Sequence, residues 1–208
     1  MVNLTQLLDQ TAARHDHLCP RQVIGVRMGL YAAELLDLVL PQSDKRLITF
    51  VETDGCFADG VSVATGCSLG HRTMRLVDFG KVAATFVDTM TERAVRIYPH
   101  AESRSNARVC QPDARSRWHA QLQAYQVMPV EQMLCWQPVT LTIALKQLIS
   151  RPGVRVNCAV CGEEIINERE VIVDGQAICR ACAGDGYYQV GSSAFDTVLD
   201  EVVQAHAK

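Results

Sequence analysis

Two groups of side chains in this 208-residue sequence have types and spacings suited to chemistry. The first is Cys158-Ala159-Val160-Cys161 followed by Cys179-Arg180-Ala181-Cys182. Two residues between thiolates let one tight turn aim both sulfurs at one ion. A second such pair at this distance completes the spacing of a structural zinc site. The spacer contains Val171-Ile172-Val173-Asp174-Gly175, which reads as a hairpin that returns the second pair to the first. Four thiolates around a tetrahedral ion leave no open position, so Cys158, Cys161, Cys179 and Cys182 are expected to hold structure rather than to catalyse. A module this small depends on the metal for most of its stability.

The second group is His15-Asp16-His17-Leu18-Cys19-Pro20. Side chains at alternate positions of an extended chain point the same way, and Pro20 disfavours helical backbone at Cys19. The outer two would still be on the order of 13 Å apart at their backbones. One ion would therefore take two of the three, unless the loop curls. Cys19 also sits where a helix begins, and the helix dipole there favours thiolate. Taken alone, the run could equally be two surface histidines and a half-buried cysteine. Cys56 shifts that balance, because it too lies at a strand-to-helix turn, beside Asp54, with Gly55 permitting a sharp bend. Loops at such turns commonly bind ligands. Cys67 would be about 16 Å from Cys56 along one helix, so it reads as a core thiol or pocket wall. Cys110 and Cys135 read as core residues, and His71 and His100 as surface or hydrogen-bonded histidines. Arg104, Arg108, Arg115 and Arg117 read most simply as a solvated helix face, with anion binding as the less favoured alternative.

Several elements must position these residues. Residues 3–14 suit a short helix. A stronger helix spans 20–40, with Pro20 in its first turn, Ile24, Met28, Tyr31, Leu35 and Leu38 at helical spacing, and Pro41 as its stop. Gly25 and Gly29 lie one turn apart and would allow close approach of another backbone. Residues 46–52 read as a buried strand and 57–65 as a helix with Gly66 as C-cap. Strands are expected at 74–78, 82–88, 93–98 and 138–145. Residues 101–125 read as two helical pieces broken near Pro112. The predicted fold is α+β, a mixed sheet with helices. Its expected domains are a core at 1–150, a four-cysteine finger at 154–190 and a closing helix at 191–208, joined through a linker at Ser150-Arg151-Pro152-Gly153.

Composition narrows the function classes. Hydrophobic residues make up 48% and charged residues 21%, as in an ordinary globular protein. A net charge of −3 implies no general attraction to nucleic acid or anionic membrane. No apolar run is long enough for a membrane span, and the first residues lack the pattern of a secretory signal. The expected location is the cytoplasm, where cysteines serve metals or reactivity more often than disulfides. The finger carries Glu163, Glu164, Glu168, Glu170, Asp174 and Asp185 against Arg155, Arg169 and Arg180. That balance is a poor footprint for phosphates.

The order of His15-x-His17-Leu18-Cys19-Pro20, Glu52-Thr53-Asp54-Gly55-Cys56, Thr65-Gly66-Cys67-Ser68-Leu69-Gly70 and Asp78-Phe79-Gly80-Lys81 resembles the formylmethanofuran dehydrogenase E-subunit (FmdE) family. Cys158-x2-Cys161-Gly162-Glu163 with Cys179-x2-Cys182 resembles a treble-clef zinc finger of the DksA/TraR type. Arg21 stands where the family pattern has glycine, which would narrow or charge the pocket mouth. The resemblance implies an α+β core with a metal-dependent site around the His/Cys cluster. It implies His17 and Cys56 as first metal ligands, His15 and Cys19 as further ligands or as acid/base and nucleophile, and Asp54, Thr65, Gly66, Cys67 and Lys81 as pocket residues. Zinc is expected at the C-terminal site and a second metal, zinc or another, in the N-terminal domain. Two main functions follow: a metal-dependent enzyme or redox-accessory protein, or a handler of metal or molybdenum/tungsten cofactor for a partner oxidoreductase. A zinc-finger regulator is the third. A homodimer is expected through the Gly25/Gly29 face and the finger.

Overall fold

Helix α1 (Leu4–Ala12) starts where the Asn3 side chain accepts the Thr5 N–H at 3.0 Å, the usual service of an N-cap asparagine. Its Leu7 and Leu8 are buried. The structure is a computed structural model and describes residues 3–149 and 153–189. The linker residues 150–152 and the expected closing helix lie outside the described residues. The chain divides into two compact units, Met1–Thr142 and Ile143–Lys208.

In the first unit, Pro20 opens helix α2 (Pro20–Leu36), and Cys19 before it is extended at φ −125° and ψ 158°, as the Cys-Pro pair predicts. The helix stops at Asp37, earlier than Pro41 suggested. Asp37 takes a left-handed backbone (φ 56°) and the Leu38 N–H returns to the Ala33 carbonyl at 2.9 Å, a closure that satisfies the terminal carbonyls. Strand β1 (Leu47–Val51) then leads through Gly55 into helix α3 (Cys56–Thr65). Gly55 has φ 73° and ψ −155°, a conformation that a residue with a Cβ rarely adopts. Gly66 closes α3 at φ 76° as expected.

Strands β2 (Met74–Leu76), β3 (Ala84–Asp88) and β4 (Ala94–Pro99) follow. Next come helices α4 (Ser103–Cys110), α5 (Arg117–Val127) and α6 (Val130–Met133), and strand β5 (Leu134–Pro138). The sheet order is β2-β1-β3-β4-β5, with β1 and β2 parallel and the other neighbours antiparallel. The fold is therefore α+β with a mixed sheet. The parallel pair requires a crossover, which α3 supplies, and this sets Cys56 just beyond the C-terminal end of β1. The last strand differs from expectation. It runs over 134–138 rather than 138–145, because buried Met133 and Leu134 anchor its start. Pro138, with no N–H to offer a ladder, stands at its end. Cys110 is exposed at the end of α4 rather than in the core, and Cys135 is half-buried on the edge strand.

Helix α2 is the hub of this unit, packed on α1, α3, α5 and β4. Val23, Val26, Met28, Phe57, Val61 and Phe86 are fully buried around it. The close approach foreseen for Gly25 and Gly29 occurs within the chain. A Cβ on Gly25 would press into the Phe57 carbonyl oxygen and lie 2.9 Å from the Val61 nitrogen, and one on Gly29 would lie 2.5 Å from the Ala64 Cβ. Gly60 on α3 answers Gly25 on α2, with the Val26 nitrogen 3.0 Å from its own hypothetical Cβ. The glycine face assigned to a two-fold contact is thus filled by α3. Across the sheet, Arg96 makes a bidentate pair with Glu52 at 2.6 and 2.7 Å, and Arg46 does the same with buried Asp88 at 3.0 and 2.8 Å.

The second unit contains helix α7 (Leu145–Leu148) and two antiparallel hairpins, β6 (Arg155–Asn157) with β7 (Glu164–Ile166) and β8 (Val171–Val173) with β9 (Gln176–Ile178). Asp174 and Gly175 both take positive φ (49° and 79°), the two-residue turn that their sequence predicts. Cys158 and Ile165 are the buried hydrophobic residues among the described part of this unit. No helix among the described residues is long and apolar enough to cross a membrane.

Candidate functional site

The four C-terminal cysteines converge as their spacing predicts. The Cys158 N–H donates to the Glu163 carbonyl and the Gly162 N–H to the Cys158 carbonyl, each at 2.9 Å, so a tight turn presents Cys158 and Cys161 together. Gly162 holds that turn at φ 77°. Cys179 and Cys182 flank the start of a turn at Ala181–Asp185. The Ala159 N–H donates to the Ala177 carbonyl of β9 at 2.9 Å, which fastens the two pairs to each other. All four sulfurs lie within 4.8 Å of one another, and Cys161 Sγ is 3.9 Å from Cys179 Sγ. A tetrahedral zinc with bonds of about 2.3 Å sets its sulfurs about 3.8 Å apart, so these residues fit such an ion.

The electrostatics agree with that fit. Backbone N–H groups of Cys161 and Cys179 hold the Cys158 thiol down to about 6. The Cys182 thiol is pushed up to about 12, first by Cys179 and then by burial and the remaining sulfurs. Four thiolates this close repel one another, and a bound cation is what allows all of them to ionise. Two of the nearby cations are already engaged: Arg155 with Glu164 at 2.5 Å, and Arg180 with Asp185.

The N-terminal cluster assembles around the starts of α2 and α3. The loop between α1 and α2 curls instead of extending. The His15 N–H donates to the Ala12 carbonyl at 3.0 Å, and Asp16 takes a positive φ of 59°. That curl turns His15 inward, half-buried, and leaves His17 exposed. His15 Nε2 meets Asp59 Oδ2 at 2.6 Å. With that nitrogen donating to the carboxylate, Nδ1 carries the lone pair, and it lies 4.0 Å from Cys56 Sγ. Cys56 in turn contacts Cys19. The Cys56 thiol is raised above its ordinary value, first by burial and then by its hydrogen bond to Cys19. Cys19 itself is buried. Its N–H donates to Gln22 Oε1 at 2.7 Å, while the Gln22 amide donates to the Thr11 carbonyl at 3.0 Å. This fully buried glutamine ties the curled loop to α1 and fixes the position of Cys19.

Cys56 therefore meets both His15 and Cys19, while among the described residues the four C-terminal cysteines are the one group of three or more candidate ligands gathered closely enough to hold a metal ion. Asp54 is exposed on the turn before Cys56. Thr65, Gly66 and Cys67 are about 14 Å away at the other end of α3, where they shape the helix terminus. The Thr65 hydroxyl donates to the Val61 carbonyl at 2.7 Å and accepts the Cys67 N–H at 3.1 Å. The buried Cys67 thiol meets the Leu47 carbonyl at 3.4 Å. Lys81 is exposed, its ammonium 5.9 Å from the centre of the Phe79 ring. Asp59 escaped the sequence reading. Its signal was present: three residues after Cys56 in the first turn of α3, a spacing that shares one helix face.

A model of the family described as "FmdE, Molybdenum formylmethanofuran dehydrogenase operon" matches residues 14–135. The chain belongs to the FmdE family. The matched span contains His15, Cys19, Cys56 and Asp59, and the four-cysteine module lies beyond it. A probable S-adenosyl-L-methionine-binding protein of Archaeoglobus fulgidus is 30% identical over 220 residues, an alignment covering 96% of this chain and 59% of that relative. The chain thus spans about three fifths of that protein's length. The crystal structure of an FmdE-like protein of the tungsten formylmethanofuran dehydrogenase type from Syntrophus aciditrophicus matches with a TM-score of 0.55 at 20% identity, covering 90% of this chain and 96% of that one. That likeness is one of fold.

Proposed function

We propose that this FmdE-family chain is a two-site metal protein serving a molybdenum- or tungsten-dependent oxidoreductase as an accessory protein. In this reading zinc occupies the four-cysteine site and stabilises the second unit. A second soft divalent ion is held by Cys19, Cys56 and His15. The observation that carries the reading is that Cys56 contacts both Cys19 and the His15 imidazole, whose far nitrogen is 2.6 Å from Asp59. An orienting carboxylate behind a ligating histidine is the usual outer shell of a metal site, where it sets the tautomer and raises ligand basicity. A tetrahedral ion with bonds of about 2.1 Å to nitrogen and 2.3 Å to sulfur would bring N and S to about 3.6 Å, close to the 4.0 Å found between His15 and Cys56. Three protein ligands leave one position for water or substrate, and an ion there would supply Lewis acidity and a lowered water pKa. Exposed His17 and Asp54 are in this reading the groups that handle protons on the solvent side, while Thr65, Gly66 and Cys67 are structural.

The test is metal content per chain of purified protein. Two ions are expected, falling to one in Cys56→Ser and in His15→Ala with the fold retained. A wild-type protein that holds one ion, lost only on substitution of the four C-terminal cysteines, would sink the N-terminal site.

A further inference from the structure

The α4–α5 hairpin carries a charge balance unlike the rest of the chain. Between residues 103 and 127 there are four arginines and one aspartate, a net of +3. The chain as a whole is −3, so the remaining residues sum to −6. The two helices border an open cleft of about 820 Å³ lined by Arg104, Arg108 and Arg117 together with Ser105, Val109 and Gln121. That volume is in the range of small-molecule sites, roughly 300–1,000 Å³.

The arginines differ in their engagement. Arg108 donates to the Ala114 carbonyl at 2.8 Å and so helps hold the connection between the helices. Arg104 and Arg117 enter no ion pair among the described residues, and both are exposed. Guanidinium groups present flat forks that match phosphate and carboxylate oxygens two at a time. Val109 adds an exposed apolar surface in the same cleft, which a purely inorganic anion would leave uncovered.

We infer that this cleft binds a small organic molecule carrying at least two phosphate or carboxylate groups on an apolar or aromatic body. Arg104 and Arg117 would clamp the anionic groups while the body covers Val109. A long polyanion is disfavoured because the rest of the first unit, residues 1–102 and 128–142, carries ten Lys/Arg against thirteen Asp/Glu, a net of −3, so its flanks would meet like charge. The site lies within the family-matched span but uses none of the His/Cys residues, so it is independent of the metal reading.

The experiment is calorimetric titration of the full chain with ADP, citrate and a single-stranded oligonucleotide, repeated with Arg104→Gln, Arg117→Gln and the double variant. Both positions are exposed, and unchanged melting temperatures would show that the variants fold. Saturable binding of ADP, weakened about tenfold by each substitution and further by both, is the expected result and marks a phosphate ligand. The same pattern with citrate instead marks a carboxylate ligand of the same class. No saturable binding of either probe at millimolar concentration, binding indifferent to both substitutions, or tighter binding of the oligonucleotide than of either probe would overturn the proposal.

Discussion

Replacing Gly25 with alanine tests how closely α2 and α3 cross. The new Cβ would press into the Phe57 carbonyl oxygen and stand 2.9 Å from the Val61 nitrogen and 3.1 Å from the Gly60 carbonyl carbon. All three are backbone atoms of α3, so no side-chain rotation relieves the contact and the helices must separate. Overpacking of this kind costs typically about 1–3 kcal/mol, and an unyielding backbone neighbour puts it near the upper end. Alanine returns up to about 1 kcal/mol of helix propensity. The net is a loss of about 2 kcal/mol, equivalent to a melting temperature about 4–8 °C lower for a unit of this size. Thermal unfolding followed by circular dichroism reads this directly. Gly70→Ala is the control, since nothing lies within 4 Å of its added Cβ and its change should stay within about 0.5 kcal/mol. Because Cys19 and Cys56 begin the two helices, separation also widens the N-terminal site, so the metal content assigned to it should fall in parallel. A Gly25→Ala protein as stable as wild type, or more stable by its propensity gain, would refute the close crossing and the site geometry built on it.

Chelation should remove the ion proposed for the C-terminal site and abolish amide protection over residues 155–185, because only Cys158 and Ile165 are buried hydrophobics there among the described residues; hydrogen exchange should show 4–138 unchanged, and cooperative loss of both units would contradict this prediction. Asp59→Asn should leave the fold intact but weaken the N-terminal metal about 10–100-fold, measured by competition with a chromogenic chelator, whereas unchanged affinity would remove Asp59 from the site. Asp88 is held well below the usual carboxylate range, chiefly by the Arg46 guanidinium, so its contribution to stability is present above the unfolded carboxylate value of about 3.9 and is lost as pH falls toward the folded value. Asp88→Asn should therefore lower the melting temperature by a few degrees at pH 7 and by progressively less below pH 4, and a gap that is constant down to pH 2 would contradict the assignment.

The sequence alone carried a good deal of this. Paired Cys-x2-Cys motifs and an Asp-Gly turn encode local backbone geometry, so Cys158, Cys161, Cys179 and Cys182 could be grouped before any contact was known. The same holds for Pro20, Gly66 and the break near Pro112, because each acts within a turn or two of chain. Gly55 was legible as a bend for the same reason. What it left open depended on packing at long range. Whether His15 or His17 faces Cys56 turns on the left-handed Asp16 and on Gln22 bridging to Thr11, a curl that alternation along an extended chain could not foresee. Asp59 joined the candidate site only because the tertiary structure places it 2.6 Å from His15. The Gly25 face was readable as a site of close approach, but only the tertiary structure supplied the partner, Gly60 of the same chain. Local backbone preferences are written in neighbouring residues; the identity of a partner across space is set by the whole core closing at once.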